Sequence, residues 1–593
     1  MIITRRRAAA VLGSTMLTPI LASCATASGA SGADVGFEAL GARWLETSLA
    51  QTPIEATKIG EHRFDAEVDD LSAAGRAAQL RFAQETLAAL AQFDRATLSR
   101  ANQVDAALLE NQLRGQIWAL ERQQAWAWNP LFYQAKAGDA IYALMSREFA
   151  PLSVRLDSVT ARLEKLPALL RQSREELVLA RVPPPHAETY SRQNPGLKSL
   201  IAELVAPNLD QLSPASRARA EAAIAAFETA VDEQQRWIES EMIPAARGEW
   251  RAGAQMFDEQ LPFTLATNLS RQEIRRRADA AVVEVRAAMY SAAKRALAGR
   301  SDAPVTPDNP NADQQQAAIR AALDISGAER PTRDNIVQVA TAAVDEAAAF
   351  IRARDLITLP AAPVRVIEMP EFQQGVAVAY CDSPGPLERQ LETFYAVSPI
   401  PASWTDAQAE SFLREYNNRA IIDVGVHEAM PGHFVQLAHA NAYPSVLRAV
   451  LASGPFIEGW ACYAEIMMVD EGFRADDPLY ELAQLKVQLR TITNAILDQA
   501  VHVDGISEEE AMHLLTHTAF QEEREAAGKW RRAQLSITQL STYFVGLSEH
   551  QETRAAAAAR PGFQLKAYHD GILSFGSPPV RYARALLFGE PIQ

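Results

Sequence analysis

Two imidazoles and a carboxylate stand close together in His427-Glu428-Ala429-Met430-Pro431-Gly432-His433, and three of the chain's ten histidines fall between residues 427 and 439. A glutamate flanked by histidines is the residue set of a hydrolytic zinc site: neutral nitrogens hold the metal, and a carboxylate takes the proton of its water. The spacing departs from the familiar one. Histidines four apart on a helix share a face. These are six apart, which on a regular helix sets them about 120° off a common face.

The intervening residues supply a way round. Pro431 lacks an N–H, and its ring would meet the carbonyl of His427, so a regular helix cannot run through it. Gly432 allows backbone angles that other residues resist. A wide turn at Met430-Pro431-Gly432 would swing His433 back toward His427; the bland alternative is a helix that simply ends, leaving His433 a capping or surface residue. A third ligand is available. Phe456 to Glu465 reads as a largely apolar helix carrying Glu458 and Glu465, seven residues apart and therefore on one face. Carboxylates on so apolar a helix need partners if they are buried. Glu458 is expected as the third metal ligand, with Glu465 or Asp470 orienting a ligand imidazole from behind.

Both segments, His427–Gln436 and Glu458–Glu465, resemble the bacterial domain-of-unknown-function 885 family, whose members are often lipoproteins and are similar in pattern to helical zinc peptidases. Gln539, Tyr543 and Gly546 match a late Q-x-x-x-Y-x-x-G pattern of that family. His569-Asp570, followed by Gly576 and Pro578, matches its C-terminal segment. The resemblance covers nearly the whole chain after the leader and implies a zinc-peptidase-like site. More distantly, the layout is similar to the thimet oligopeptidase and carboxypeptidase Taq families, from which the longer His–His spacing departs. The resemblance also suggests Tyr543 and His569 as donors to a developing oxyanion. Their ordinary alternatives are a core tyrosine and a surface histidine.

The elements that must position these residues are mostly helices. Leu156, Val159, Leu163, Leu166 and Leu170 recur at three- and four-residue steps around Pro167, as do Leu482, Leu485, Leu489, Ile492 and Ile496. Thr405…Gln408 and Ser507…Glu510 are capping-box patterns. Three runs break the helical pattern: Val364–Ile367, Val376–Tyr380 and Phe394–Val397 are β-prone and bounded by Pro and Gly. A small sheet there would lie next to the metal helix. It would offer an edge strand to an extended peptide, or merely cover the core. The expected fold is mainly α: a large two-lobed, helical metallopeptidase-like fold with a small β-sheet beside the active-site helix. The expected divisions are a leader at 1–24, a flexible tether at 25–36, an N-terminal helical region at 37–360 and a catalytic region at 361–593, in one integrated fold.

Arg5-Arg6-Arg7, the apolar stretch Ala8–Ile20 and the lipobox Leu21-Ala22-Ser23-Cys24 read as a lipoprotein export leader. Cys24 is expected to carry the lipid, anchoring the protein on the periplasmic side of the envelope, at the outer membrane. That anchor would be its sole membrane contact. The chain's net charge is −16, and loss of the three arginines makes the mature chain more acidic still, without a basic stripe that would suit nucleic acid. Cys381 and Cys462 are the remaining cysteines, so one disulfide is conceivable but no disulfide framework.

The expected chemistry is peptide-bond hydrolysis. His427, His433 and Glu458 hold one zinc ion with a position left for water, and Glu428 is the general base, passing that proton to the departing amine. Tyr543 and His569 are candidates to stabilise the oxyanion. A non-catalytic envelope lipoprotein that binds peptide or cell-wall components is the competing class. A serine enzyme built on Ser291-Ala292-Ala293-Lys294 lacks companion motifs.

Overall fold

The computed structural model describes residues 32–369, 378–401 and 404–592. The leader and lipobox, the tether as far as residue 31, and Val376-Ala377 lie outside the described residues. The first helix, Gly32–Gln51, begins inside the stretch expected as tether. Asp34 explains this: its carboxylate accepts from the Ser99 N–H (2.9 Å) and the Asn102 amide (2.8 Å), pinning the helix start to the next layer.

The chain is mainly helical with one three-stranded sheet among the described residues. One hydrophobic core is formed by Pro130–Met145, Leu152–Glu176, Pro184–Gln193 and Pro214–Trp237. The apolar stripe from Leu156 to Leu170 is fully buried there, and its helix runs through Pro167. A second core joins Arg271–Leu297 to Pro478–Gln499, burying Leu482, Leu489, Ile492 and Ile496. A third surrounds the candidate site. Both anticipated capping boxes are present. None of the helices described is long and apolar enough to cross a membrane.

Six helices frame the site: α1 (Asn418–Glu428), α2 (His433–Asn441), α3 (Gly454–Asp470), α4 (Pro478–Gln499), α5 (Thr542–Ala558) and α6 (Leu565–Leu573). Asn417 starts α1 by accepting from the N–H groups of Arg419 and Ala420. The α3 helix is apolar all round and correspondingly interior, with Phe456, Trp460, Ala461, Ala464 and Met468 at 0 % exposure.

The sheet comprises β1 (Arg365–Glu368), β2 (Ala379–Asp382) and β3 (Phe394–Val397), in the order β1-β3-β2. The central strand β3 runs parallel to β1 and antiparallel to β2, with Tyr380 opposite Ala396 and Cys381 opposite Tyr395. Ser398 N–H donates to the Val378 carbonyl, so even-numbered residues of the β2 side turn their backbone groups toward β3. Ala379 and Cys381 therefore turn theirs outward. This outer edge meets α1 at Cys381, whose N–H reaches Glu428, and residues 378–381 line the candidate cavity.

Candidate metal centre and cleft

The turn between α1 and α2 is what brings the two histidines together. The α1 helix stops at Glu428, and the chain folds over its last turn: Ala429 and Met430 N–H both donate to the Gly425 carbonyl, and Gly432 N–H to that of Val426 (2.9 Å). The Met430–Pro431 peptide is cis. A Cβ at Gly432 would lie 1.7 Å from the His427 carbonyl oxygen, so no other residue fits this approach. The α2 helix then restarts at His433. Trp460 of α3 locks the turn from behind, donating its indole N–H to the Pro431 carbonyl at 2.9 Å. The two imidazole centroids end 4.8 Å apart, nearly perpendicular. The wide turn expected at Met430-Pro431-Gly432 is there as a full break between two helices.

Glu458 completes the group. Its Oε2 lies 3.7 Å from His427 Nε2 and 3.4 Å from His433 Nε2, and the three ligand atoms all fall within 4.8 Å of one another. These separations are long for hydrogen bonds. They fit a shared ion: tetrahedral bonds of about 2.0–2.1 Å to zinc place neighbouring ligand atoms roughly 3.3–3.4 Å apart. Burial works to raise the Glu458 carboxyl, but the two imidazoles facing it hold it well below the ordinary range. Burial likewise opposes charge on His427, yet Cys462, Glu458 and Glu465 together draw its pKa well above the usual value.

Glu465, 1 % exposed, meets His427 Nδ1 at 2.5 Å, which leaves Nε2 pointing to Glu458. It is thus Glu465, not Asp470, that backs a ligand imidazole; Asp470 takes its charge partner from Arg554. Asp423, one turn before His427, is buried close enough to Glu465 that burial and that carboxylate raise its pKa strongly. A second cluster, His427–Cys462–Glu465, lies alongside, and of its three members Cys462 alone is absent from the cavity lining. Burial pushes the Cys462 thiol up to about 11, so it is a neutral neighbour rather than a thiolate ligand. Cys381 and Cys462 are both free thiols, not a disulfide.

Glu428 sits beside the ligand group and accepts the Cys381 N–H at 2.9 Å, from the outward edge of β2. Burial raises its carboxyl pKa, with His433 and His427 partly offsetting this. A carboxylate whose proton affinity is raised, next to a polar cavity, is suited to act as a base. The cavity, of about 380 Å³, is lined by the ligand triad, Glu428, residues 378–381 and Tyr543.

Tyr543, on α5, faces this cavity, and Arg532 donates to its hydroxyl oxygen (3.3 Å) and to the Gln539 side chain (2.9 Å). Burial and the Glu458 charge raise the Tyr543 hydroxyl pKa, so it keeps its proton as a donor. His569 is not brought to the cavity. Its Nδ1–H donates to the Leu356 carbonyl and its Nε2 accepts from the Tyr463 hydroxyl, both at 2.8 Å, behind Trp460. Burial lowers it to about 4, a neutral ring with both nitrogens occupied. Its neighbour Asp570 holds the Thr358 N–H and hydroxyl, so the His-Asp pair clamps residues 356–358. Ser291 returns its hydroxyl to the Ala287 carbonyl on a helix surface, and Lys294 pairs with Asp308, which leaves no serine–lysine couple.

Three cations that line the cavity, Arg490, Lys529 and Arg532, were not singled out from the sequence. They sit on helices remote in the chain, where a charge at helical spacing reads as ordinary surface.

A helical fold with a convergent His–His–Glu group in a polar cleft is the class these observations define. The chain belongs to the family described as bacterial protein of unknown function (DUF885), whose model matches residues 53–587. Its fold is similar to a solved candidate lipoprotein of unknown function from Shewanella oneidensis, at 30% identity over 93% of this chain and 99% of that one, with a TM-score of 0.79. It is also similar in fold to a solved candidate lipoprotein from Colwellia psychrerythraea, at 15% identity over 93% and 98% of the two chains, with a TM-score of 0.76. No curated protein matches the sequence.

Proposed function

We propose that the protein is a zinc-dependent peptidase of the bacterial cell envelope, held by lipid on Cys24 at the periplasmic side of the outer membrane. The observation that carries this is the convergence of His427 Nε2, His433 Nε2 and Glu458 Oε2 at separations too long for hydrogen bonds and right for a common ion. Two imidazoles and one carboxylate favour zinc. A zinc ion held by these three would polarise a water molecule and the substrate carbonyl.

The residues of the chain do the rest. Glu428, fixed by the Cys381 N–H, accepts the water's proton and returns it to the leaving amine. Tyr543 donates a hydrogen bond to the oxyanion, while Arg532 donates to the phenol oxygen. The outward N–H and C=O of Ala379 offer an extended peptide backbone a strand to pair with, and β2 leads it over Glu428. The acidic chain and its candidate-lipoprotein relatives agree with an envelope location and with no role on nucleic acid.

The test is metal content and turnover of the chain lacking residues 1–24. About one zinc per chain, lost in His433→Ala, with peptide cleavage abolished in Glu428→Gln, is the expected result. A folded protein that stays metal-free after zinc loading would replace this reading with that of a peptide-binding lipoprotein.

A further inference from the structure

Lys529 is an anomaly in this fold. It lies on the helix Glu523–Leu535, lines the cavity that holds the ligand triad, and is 8 % exposed. Among the described residues its ammonium has neither a hydrogen bond nor an ion pair. Lys486 shows what a structural lysine looks like here: similarly shielded, it pairs with Glu415 at 2.8 Å. Removing an ammonium from water costs several kcal/mol unless a counter-charge meets it.

The surroundings of Lys529 make the deficit larger. Arg490 and Arg532 line the same cavity and repel its charge. The acid nearest along its helix, Glu525, is engaged elsewhere: it accepts from the Tyr416 hydroxyl at 3.4 Å and faces Arg490 at 3.7 Å. Burial, then the repulsion of Arg490, lowers the Lys529 amine to about 7. An anion arriving between these groups would restore its charge. Glu428 and Glu458 line the same cavity, but the charged groups that act on Lys529 are Arg490 and Arg532, against Glu525 and Glu415, so an anionic group is drawn toward the cations. The cavity thus offers an entering anion a cluster of three cations, Arg490, Lys529 and Arg532.

We infer that Lys529, flanked by Arg490 and Arg532, is the subsite for a substrate carboxylate, so that the cleft selects peptides bearing a free carboxylate near the bond presented to Glu428. The inference rests on the peptidase reading for cleavage, but not for binding. A C-terminal carboxylate and an acidic side chain supply the same chemistry, and the test separates them.

Three probes suffice: N-acetyl-trialanine as the free acid, its C-terminal amide, and the amide of N-acetyl-alanyl-glutamyl-alanine. Binding is measured by calorimetry to the mature chain carrying Glu428→Gln, alone and combined with Lys529→Met or Lys529→Arg. The expected result is at least about tenfold tighter binding of a carboxylate-bearing probe than of the plain amide, lost with Lys529→Met and kept with Lys529→Arg. Preference for the free acid assigns the subsite to the chain terminus; preference for the glutamyl amide assigns it to a side chain. Equal binding of all three probes, or binding of none, overturns the inference. An unchanged preference in Lys529→Met, with the thermal midpoint also unchanged, overturns it too. Lysine-dependent binding without cleavage of any probe by the zinc-loaded wild type sinks the peptidase reading and leaves the subsite standing.

Discussion

Replacing Glu465 by Gln isolates the part of the proposed metal centre that holds His427 from behind. The carboxylate meets Nδ1 at 2.5 Å and is 1 % exposed, so water cannot take its place. An imidazole N–H bonded to a carboxylate contributes about 1.5–3 kcal/mol, against about 0.5–1.5 kcal/mol for a neutral acceptor. The difference, roughly 1–1.5 kcal/mol, is a factor of about 5–15 in affinity. Loss of the charge also makes Nε2 a poorer donor to the metal, and partners behind metal-binding histidines are worth about 10–100-fold in metal affinity. The two estimates overlap at about 10–15-fold, the loss of zinc affinity expected for Glu465→Gln. Competition against a fluorescent zinc chelator reads this directly, with circular dichroism confirming the fold. A variant that holds zinc within about twofold of wild type would show that the 2.5 Å contact does not set the basicity or orientation of the ring.

Tyr543→Phe should lower kcat by about 10²–10³ with little change in KM, because the hydroxyl acts on charge that develops in the transition state; steady-state kinetics on a cleaved peptide decides it. Arg448 is fully buried, binds Asp105 at 2.6 Å and caps the Ala101 and Phe575 carbonyls. Arg448→Met should cost about 3–5 kcal/mol in denaturant unfolding, and a second change, Asp105→Leu, should recover most of it. Burial raises Glu549 to about 7, with the Thr267 hydroxyl only partly offsetting it. The folded state therefore binds the extra proton, and that contribution is complete below about pH 4 and lost as pH rises through 7. Glu549→Gln should flatten the fall in urea midpoint between about pH 5 and 8; an unchanged slope would place the titration elsewhere.

How far the sequence reaches depends on whether the determinant is local. The break at Pro431 and Gly432 was legible because proline sterics and glycine freedom act within one helical turn, and the capping boxes at Thr405 and Ser507 for the same reason. Strand Phe394–Val397 was placed to the residue. The choice between Glu465 and Asp470 was not: both lie on α3, and it is the direction of α1 across α3 that puts Glu465 behind His427. His569 was suggested by the family resemblance alone, while the fold has it and Asp570 clamp residues 356–358, a segment more than 200 positions away. The cationic cluster was invisible for the complementary reason. Arg490 and Lys529 become special only when two distant helices enclose one cavity.

One contact ties the motifs together. A Cβ on Gly459 would lie 2.3 Å from the Gly546 carbonyl carbon, and one on Gly546 only 1.9 Å from the Pro455 carbonyl oxygen. The α3 and α5 helices therefore touch main chain to main chain, one residue from Glu458 and three from Tyr543. In effect the two glycines are a rivet. They set the gap between the proposed metal ligand and the proposed oxyanion donor by hard backbone surfaces, not by side chains that can adopt other rotamers. The walls of the cleft can be rebuilt for new substrates by changing what surrounds the rivet, and the reacting geometry need not move.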